Sequence, residues 1–288
     1  MDIDADGHRD ILSGSYSRKQ QDMAGLFQVL YGKADGTFRR AEVLKGTDGE
    51  PLIIPIKGRE QMTENICTRP FAVDWDGDGH LDLVVGNFSG TFYWFKGQGK
   101  GKFPPRPEQV KAGDSPLKIE GAHSDPFVID WDGDGDLDVL SGSSDGGVQW
   151  AENRAGKGKA PELRPFRPLI PPGPPVESGR PLREDDLTGP TRATRVWVED
   201  MNSDGKLDIL VGDSVTLISP AKGLSAEEFG KKYRDWQDAY QAAAALGSAA
   251  GDTKARSKAN EEFRNLYSRR VEFMHEEMTG FVWLYLQK

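Results

Sequence analysis

The chain has 288 residues, with 46 Asp and Glu against 37 Lys and Arg and a formal net charge of -9. No Lys/Arg-rich run with interleaved aromatics stands in it, which argues against a nucleic-acid partner, and no segment is long and apolar enough to read as a membrane span. A single cysteine, Cys67 in "ENICTRPF", excludes an internal disulfide and reads as a small buried hydrophobe.

The first predicted element is an acidic loop, "DIDADGHRDILSG" at 2–14, and it returns three times: "DWDGDGHLDLVVG" at 74–86, "DWDGDGDLDVLSG" at 130–142 and "DMNSDGKLDILVG" at 200–212. Each reads D-x-[DN]-x-D-G-x-x-D and then an apolar run ending in Gly, so one unit is being repeated. Carboxylates this close repel one another, and a bound cation relieves the repulsion. Calcium takes six to eight oxygens, and a tight loop offers them from positions 1, 3, 5, the backbone carbonyl of 7, and 9. Oxygen-only ligands favour such a hard cation over zinc or copper. Gly at position 6, Gly79 in the second copy, permits the positive φ of the turn. The bland alternative is that Asp-Gly clusters are solvated turns; four matched copies weigh against it.

An EF-hand opens in the same way but needs a bidentate Glu at position 12. Ser13, Val85, Ser141 and Val211 stand there. The flanks, "FAV" and "FVI" before the loops and "LDLVVG" and "LDVLSG" after, are short β-branched runs that predict strands. Further strands are expected in "GLFQVLYG" at 25–32, "TFYWFKG" at 91–97 and "GGVQWAENR" at 146–154, whose aromatics suit packing between repeats.

Residues 161–190 are rich in proline, which cannot donate to a central ladder; they predict an extended connector with one edge strand at its start. Residues 221–279 predict an antiparallel helical hairpin. Ser225 and Glu228 have capping-box spacing, and Phe229, Tyr233, Trp236 and Tyr240 recur at helical intervals. After the break "GSAAGD" a second helix carries Ala259, Phe263, Leu266, Tyr267, Arg270 and Met274. The aromatic stripe reads as the seam between the helices, and the hairpin is also a candidate docking arm for a partner.

Strand, D-x-D-x-D-G-x-x-D loop, strand, Gly and second hairpin together resemble the FG-GAP/VCBS repeats, which build calcium-bearing β-propellers such as the head of integrin α-subunits. The resemblance covers nearly the whole chain except 221–279. It implies an all-β fold: one β-propeller domain over 1–288 with about four visible blades, the helical hairpin being inserted in the last. It implies about four Ca2+ sites, formed by Asp2, Asp4, Asp6, His8 and Asp10; by Asp74, Asp76, Asp78, His80 and Asp82; by Asp130, Asp132, Asp134, Asp136 and Asp138; and by Asp200, Asn202, Asp204, Lys206 and Asp208. The residue at position 7 contributes its carbonyl, and the fourth loop, one charge short, is expected to bind most weakly. The loops hold 16 of the 46 acidic residues, so the acidity is mostly ligand chemistry. Met1 directly precedes the first loop, leaving that copy without a first strand. Either the chain is an N-terminally truncated piece of a longer secreted protein, the favoured expectation, or "GFVWLYLQK" at the other end supplies the strand.

Little in the chain suggests catalysis: there are four histidines, and no G-x-S-x-G, H-E-x-x-H or phosphate-cradling loop. Arg69, His123 with Asp125, and Arg195 stand at matching points just before the inner strands, which in a propeller face one mouth of the channel and could hold an anionic sugar or carboxylate. The bland alternative is that they are turn residues pairing with neighbours. The expectation is a non-catalytic calcium-binding propeller that engages a protein or glycan outside the cytoplasm: secreted, periplasmic or at the cell surface. The alternative is a calcium-dependent polysaccharide lyase-like enzyme, or an accessory module of one, using the Arg/His cluster.

Overall fold

The structure, a computed structural model, describes residues 1–16, 25–173, 180–249 and 253–288. The fold is mostly β, with several small antiparallel sheets and two helices. Sheet one holds β1 (Ile11–Ser13), β2 (Gln28–Leu30) and β3 (Glu42–Val43) in that order. Sheet two holds β4 (Arg69–Val73), β5 (Asp82–Gly86), β6 (Phe92–Phe95) and β7 (Glu108–Gln109), and is followed by the small hairpin of β8 (Lys111–Ala112) and β9 (Ser115–Pro116). Sheet three holds β10 (Asp125–Ile129), β11 (Asp138–Gly142), β12 (Val148–Ala151) and β13 (Arg167–Ile170). The proline-rich segment therefore contributes β13 as an edge strand; its residues 174–179 lie outside the described ones.

Sheet four opens with β14 (Arg195–Glu199) and β15 (Asp208–Gly212). The chain then leaves through β16 (Val215–Pro220), α1 (Ala226–Ala249), α2 (Thr253–Arg269) and β17 (Met274–Thr279), and returns as β18 (Val282–Tyr285), which pairs with β15. The C-terminal strand thus completes sheet four and does not pair with β1. In sheets two to four the acidic loop is the turn between the first two strands, whose register runs from Arg69↔Gly86 to Val73↔Asp82 and likewise in the other two.

Side chains along a strand alternate between faces, and successive sheets bury facing apolar sets. Leu83, Val85 and Phe95 of sheet two meet Phe27 and Val29 of sheet one. Val84 and Phe92 meet Val139 and Ala151 of sheet three. Leu140, Val148 and Trp150 meet Ile209 and Val211 of sheet four. Each junction is also latched by a buried hydroxyl. Thr68, Ser124 and Thr194, each just before a first strand, accept the N–H of Ser15 (3.2 Å), Asn87 (2.8 Å) and Ser143 (2.9 Å) at the end of the preceding sheet's loop-exit strand. The first strands lie side by side: Phe71 and Phe127 are 4.8 Å apart by ring centroids, and Phe127 and Trp197 are 5.4 Å apart.

The packing divides into two compact units. Met1–Pro172, Gly189–Asp213 and Phe281–Lys288 form the first; Gly173–Thr188 and Ser214–Gly280 form the second. In the second, Glu228 N–H donates to Ser225 Oγ (3.2 Å) and Ser225 N–H to Glu228 Oε2 (2.9 Å), the reciprocal cap that starts α1. The seam holds Trp236, stacked on Tyr240 at 5.0 Å and donating from Nε1 to the Leu266 carbonyl of α2 at 2.8 Å, and Tyr240, 4.3 Å from Phe263. Residues 250–252 of the expected break lie outside the described ones. The second helix, expected to continue through Met274, stops at Arg269, because Met274–Thr279 pair with Val215–Pro220 as a ribbon. Arg270 turns back over the Tyr267 ring (3.5 Å) and pairs with Glu276 (2.6 Å). Leu182 and Ile218 exchange backbone hydrogen bonds at 2.8 and 3.0 Å, tying the connector to the ribbon. No described helix is long and apolar enough to cross a membrane.

Candidate metal centres

The four loops share one hydrogen-bond plan. The aspartate at position 1 folds the loop around itself: Asp74 accepts the N–H groups of Asp78 and Gly79 (both 3.0 Å), Asp2 those of Asp6 and Gly7, Asp130 those of Gly133 and Gly135, and Asp200 those of Asp204 and Gly205. The aspartate at position 5 accepts the N–H of position 7 in every copy, as Asp78 does from His80 at 3.0 Å. Two residues of each loop are left-handed. Position 6 is always Gly, at φ 85 to 94°, but position 4 is Gly77, Gly133, Ala5 (φ 58°) and Ser203 (φ 62°). Only position 6 has a uniform residue, so the turn at position 4 was not legible from the pattern.

This folding draws carboxylates together. Ligand atoms of Asp74, Asp76 and Asp78 lie within 4.8 Å of one another, as do those of Asp130, Asp132 and Asp134 and those of Asp2, Asp4 and Asp10. In the fourth loop Asn202 offers its oxygen to Asp204 N (2.9 Å) and its Nδ2 to Asp204 Oδ2 (3.1 Å). Burial, reinforced by neighbouring carboxylates, raises the pKa of Asp4 and Asp132, the environment expected of acids crowded without a counter-charge. The side chain of Asp76 is only 8% exposed, and its Oδ1 is buried with no hydrogen-bond partner. Such an orphaned, acceptor-only oxygen beside two further carboxylates fits a hard cation. Two loops also meet a basic side chain: Lys96 Nζ contacts Asp76 and lies 3.4 Å from Asp78, and Arg39 lies 3.8 Å from Asp6.

Position 9 behaves differently from positions 1, 3 and 5. Asp10, Asp82, Asp138 and Asp208 are buried, and each spans two backbone N–H groups. One belongs to loop position 2: Ile3, Trp75, Trp131 and Met201. The other lies beyond the strand paired with the loop's exit: Gly32, Gly97, Asn153 and Gln287. Burial outweighs these hydrogen bonds in Asp82 and Asp138 and pushes both to about 6. His80 and His8 enter the loops through their backbone. Asp136 accepts Gly156 N–H at 2.7 Å through one oxygen while its Oδ1 is buried with no hydrogen-bond partner, and Lys206 donates its N–H to Asp204.

The second predicted cluster is also brought together, in another form. Asp125 sits between two guanidiniums, with Arg69 Nε at 3.9 Å and Arg195 Nε at 3.4 Å. Arg69 donates further to the His123 carbonyl (2.7 Å) and to Cys67 Sγ (3.3 Å). His123 is left-handed (φ 62°) and its ring lies against Phe88 at 4.3 Å; burial, then the two arginines, lower its pKa.

The family model for the FG-GAP-like repeat matches residues 74–141 and 130–211, spans that contain the second, third and fourth loops. The chain is an FG-GAP-like repeat protein. Its FG-GAP repeats correspond to sheets two to four with their loops, and the first loop, Asp2 to Asp10, follows the same hydrogen-bond plan outside the matched spans. No curated protein matches the chain.

Proposed function

We propose that this chain is a non-catalytic, calcium-binding β-propeller module that engages a protein or glycan ligand outside the cytoplasm. The buried, partnerless Asp76 Oδ1 within the Asp74–Asp76–Asp78 group carries the calcium reading. Asp74, Asp76 and Asp78 would hold one ion, Asp130, Asp132 and Asp134 a second, and Asp2, Asp4 and Asp10 a third, with Asp200, Asn202 and Asp204 a weaker fourth. The ion supplies positive charge among carboxylates that otherwise repel. The chain's own part is to hold those carboxylates in place through the backbone bonds of position 1. Support for the propeller arrangement comes from the repeated apolar layers and hydroxyl latches between successive sheets and from the adjacent first strands β4, β10 and β14.

Repeated sheets with short loops at their ends suit binding, and fold alone does not choose the ligand. The test is a glycan-array screen with and without calcium, run beside a panel of acidic polysaccharides assayed for unsaturated product. Calcium-dependent retention without product is expected. Product formation, lost in Arg195→Ala, would replace this reading with the enzymatic one.

A further inference from the structure

Trp94 and Trp150 occupy matching places in sheets two and three. Trp94 pairs with Val84 and Trp150 with Leu140, the third residues of β5 and β11, and each indole packs in the apolar layer toward the following sheet. Their outer neighbours differ. Trp150 pairs with Arg167 of β13, whose guanidinium carbon lies 4.1 Å from the centre of the indole. Trp94 pairs with Glu108 of β7. Residues directly opposite on paired strands share one face, so a carboxylate stands in sheet two where sheet three has a guanidinium.

Trp94 also lines a cavity of about 560 Å3 between sheets two and three, the size of a small-ligand site. The lining residues, from Trp75 to Leu163, all fall within the matched repeats. Trp75, Trp94 and Leu163 supply apolar walls, and the exposed Glu108, Lys111 and Glu162 stand at the margin. The aromatic wall is fixed in place: buried Trp75 donates from Nε1 to the Leu137 carbonyl at 3.2 Å and meets Trp94 edge-on at 5.5 Å. Lys96 Nζ lies 5.9 Å from the Trp94 ring centre and is engaged by Asp76 and Asp78. Neither Glu108 nor Glu162 enters an ion pair among the described residues.

We propose that this cavity takes a guanidinium group, the side chain of an arginine on a protein ligand, laid on Trp94 and paired with Glu108 and Glu162. Two observations select that occupant. The chain itself sets a guanidinium on the equivalent indole, Arg167 on Trp150, and the cavity margin carries two carboxylates against one ammonium. A guanidinium is planar, stacks on an indole and offers paired N–H donors to a carboxylate, which a compact ammonium does not match. The inference rests on the reading of the chain as a binding module and specifies a protein as its ligand; calcium occupancy does not enter.

The test is an NMR titration of the nitrogen-labelled full chain with Nα-acetyl-arginine amide, read at the tryptophan indole N–H crosspeaks, that of Trp94 being identified by its loss in Trp94→Phe. Expected is a saturable shift at Trp94 and none at Trp150, whose face Arg167 already covers. Glu108→Gln weakens binding roughly tenfold, the worth of one charge-assisted hydrogen bond. Glu108→Arg abolishes it, because it gives Trp94 the neighbour that Trp150 has in Arg167. An undisturbed Trp150 crosspeak establishes that each variant is folded. A Trp94 crosspeak that stays still, or that moves equally in Glu108→Arg, overturns the inference, as does an equal response to Nα-acetyl-lysine amide. A response to methyl glucoside in place of arginine also overturns it and assigns the cavity to a glycan. The readout is the cavity's own indole, so each of these failures is distinct from failure of the binding reading, which the glycan array decides.

Discussion

Asp82 and Gly97 are joined by a 2.6 Å hydrogen bond from the Gly97 N–H to Oδ1, while the other oxygen of Asp82 accepts Trp75 N–H at 3.3 Å. The same two-point span recurs at Asp10, Asp138 and Asp208. Position 9 of the loop is therefore a staple that ties the loop to the strand two removed from it. Asp82→Ala leaves two buried N–H groups without acceptors, at about 1 to 3 kcal/mol each, and this loss should appear in calcium-free protein as well as in calcium. Chemical denaturation of calcium-stripped Asp82→Ala measures it; stability equal to the parent would show that the residue matters only as an ion ligand.

Lys96 sets the second loop apart. Its ammonium faces Asp76 and Asp78, whereas Tyr31, Glu152 and Leu286 stand at the matching positions of sheets one, three and four. A cation entering this loop competes with the lysine, so Lys96→Met should tighten the second loop roughly tenfold, the scale of one charge-assisted hydrogen bond. Terbium luminescence excited through Trp75, in a Trp131→Phe background that silences the third loop, reads the affinity. Unchanged affinity would mean that the lysine yields to the ion at no cost.

Trp236 holds the helical hairpin through its 2.8 Å hydrogen bond to Leu266 and its contacts with Tyr233, Tyr240 and Phe273. Trp236→Ala should destabilise the hairpin by about 3 kcal/mol, in the range of large-to-small aromatic changes. The helical signal in circular dichroism should then melt at a lower temperature. A helical melt indistinguishable from the parent would locate the hairpin's stability elsewhere.

Much of this was legible in the sequence, for local reasons. The loops announce themselves because ligand spacing and a required glycine are properties of nine consecutive residues. The hairpin does so because Phe229, Tyr233, Trp236 and Tyr240 follow the helical period. Long-range features left no such trace. Nothing in the local pattern separates Asp82 from Asp74, and only the return of the chain at Gly97 gives Asp82 its second partner. The end of α2 at Arg269 depends on Val215–Pro220, more than fifty residues earlier in the chain, claiming Met274–Thr279 as a strand. Arg69, Asp125 and Arg195 were recognised as matching points, but their mutual pairing required the first strands to lie side by side.

The central claim, that the aspartate loops hold calcium, is tested most directly by thermal unfolding of the same protein in calcium and after calcium removal, with magnesium as control. At about a hundred times Kd each occupied site adds roughly 2.7 kcal/mol, so three or four sites should raise the midpoint by many degrees, and magnesium should not reproduce the shift. An identical midpoint in all three conditions would contradict the account, leaving the loops as turns held together by their own backbone hydrogen bonds.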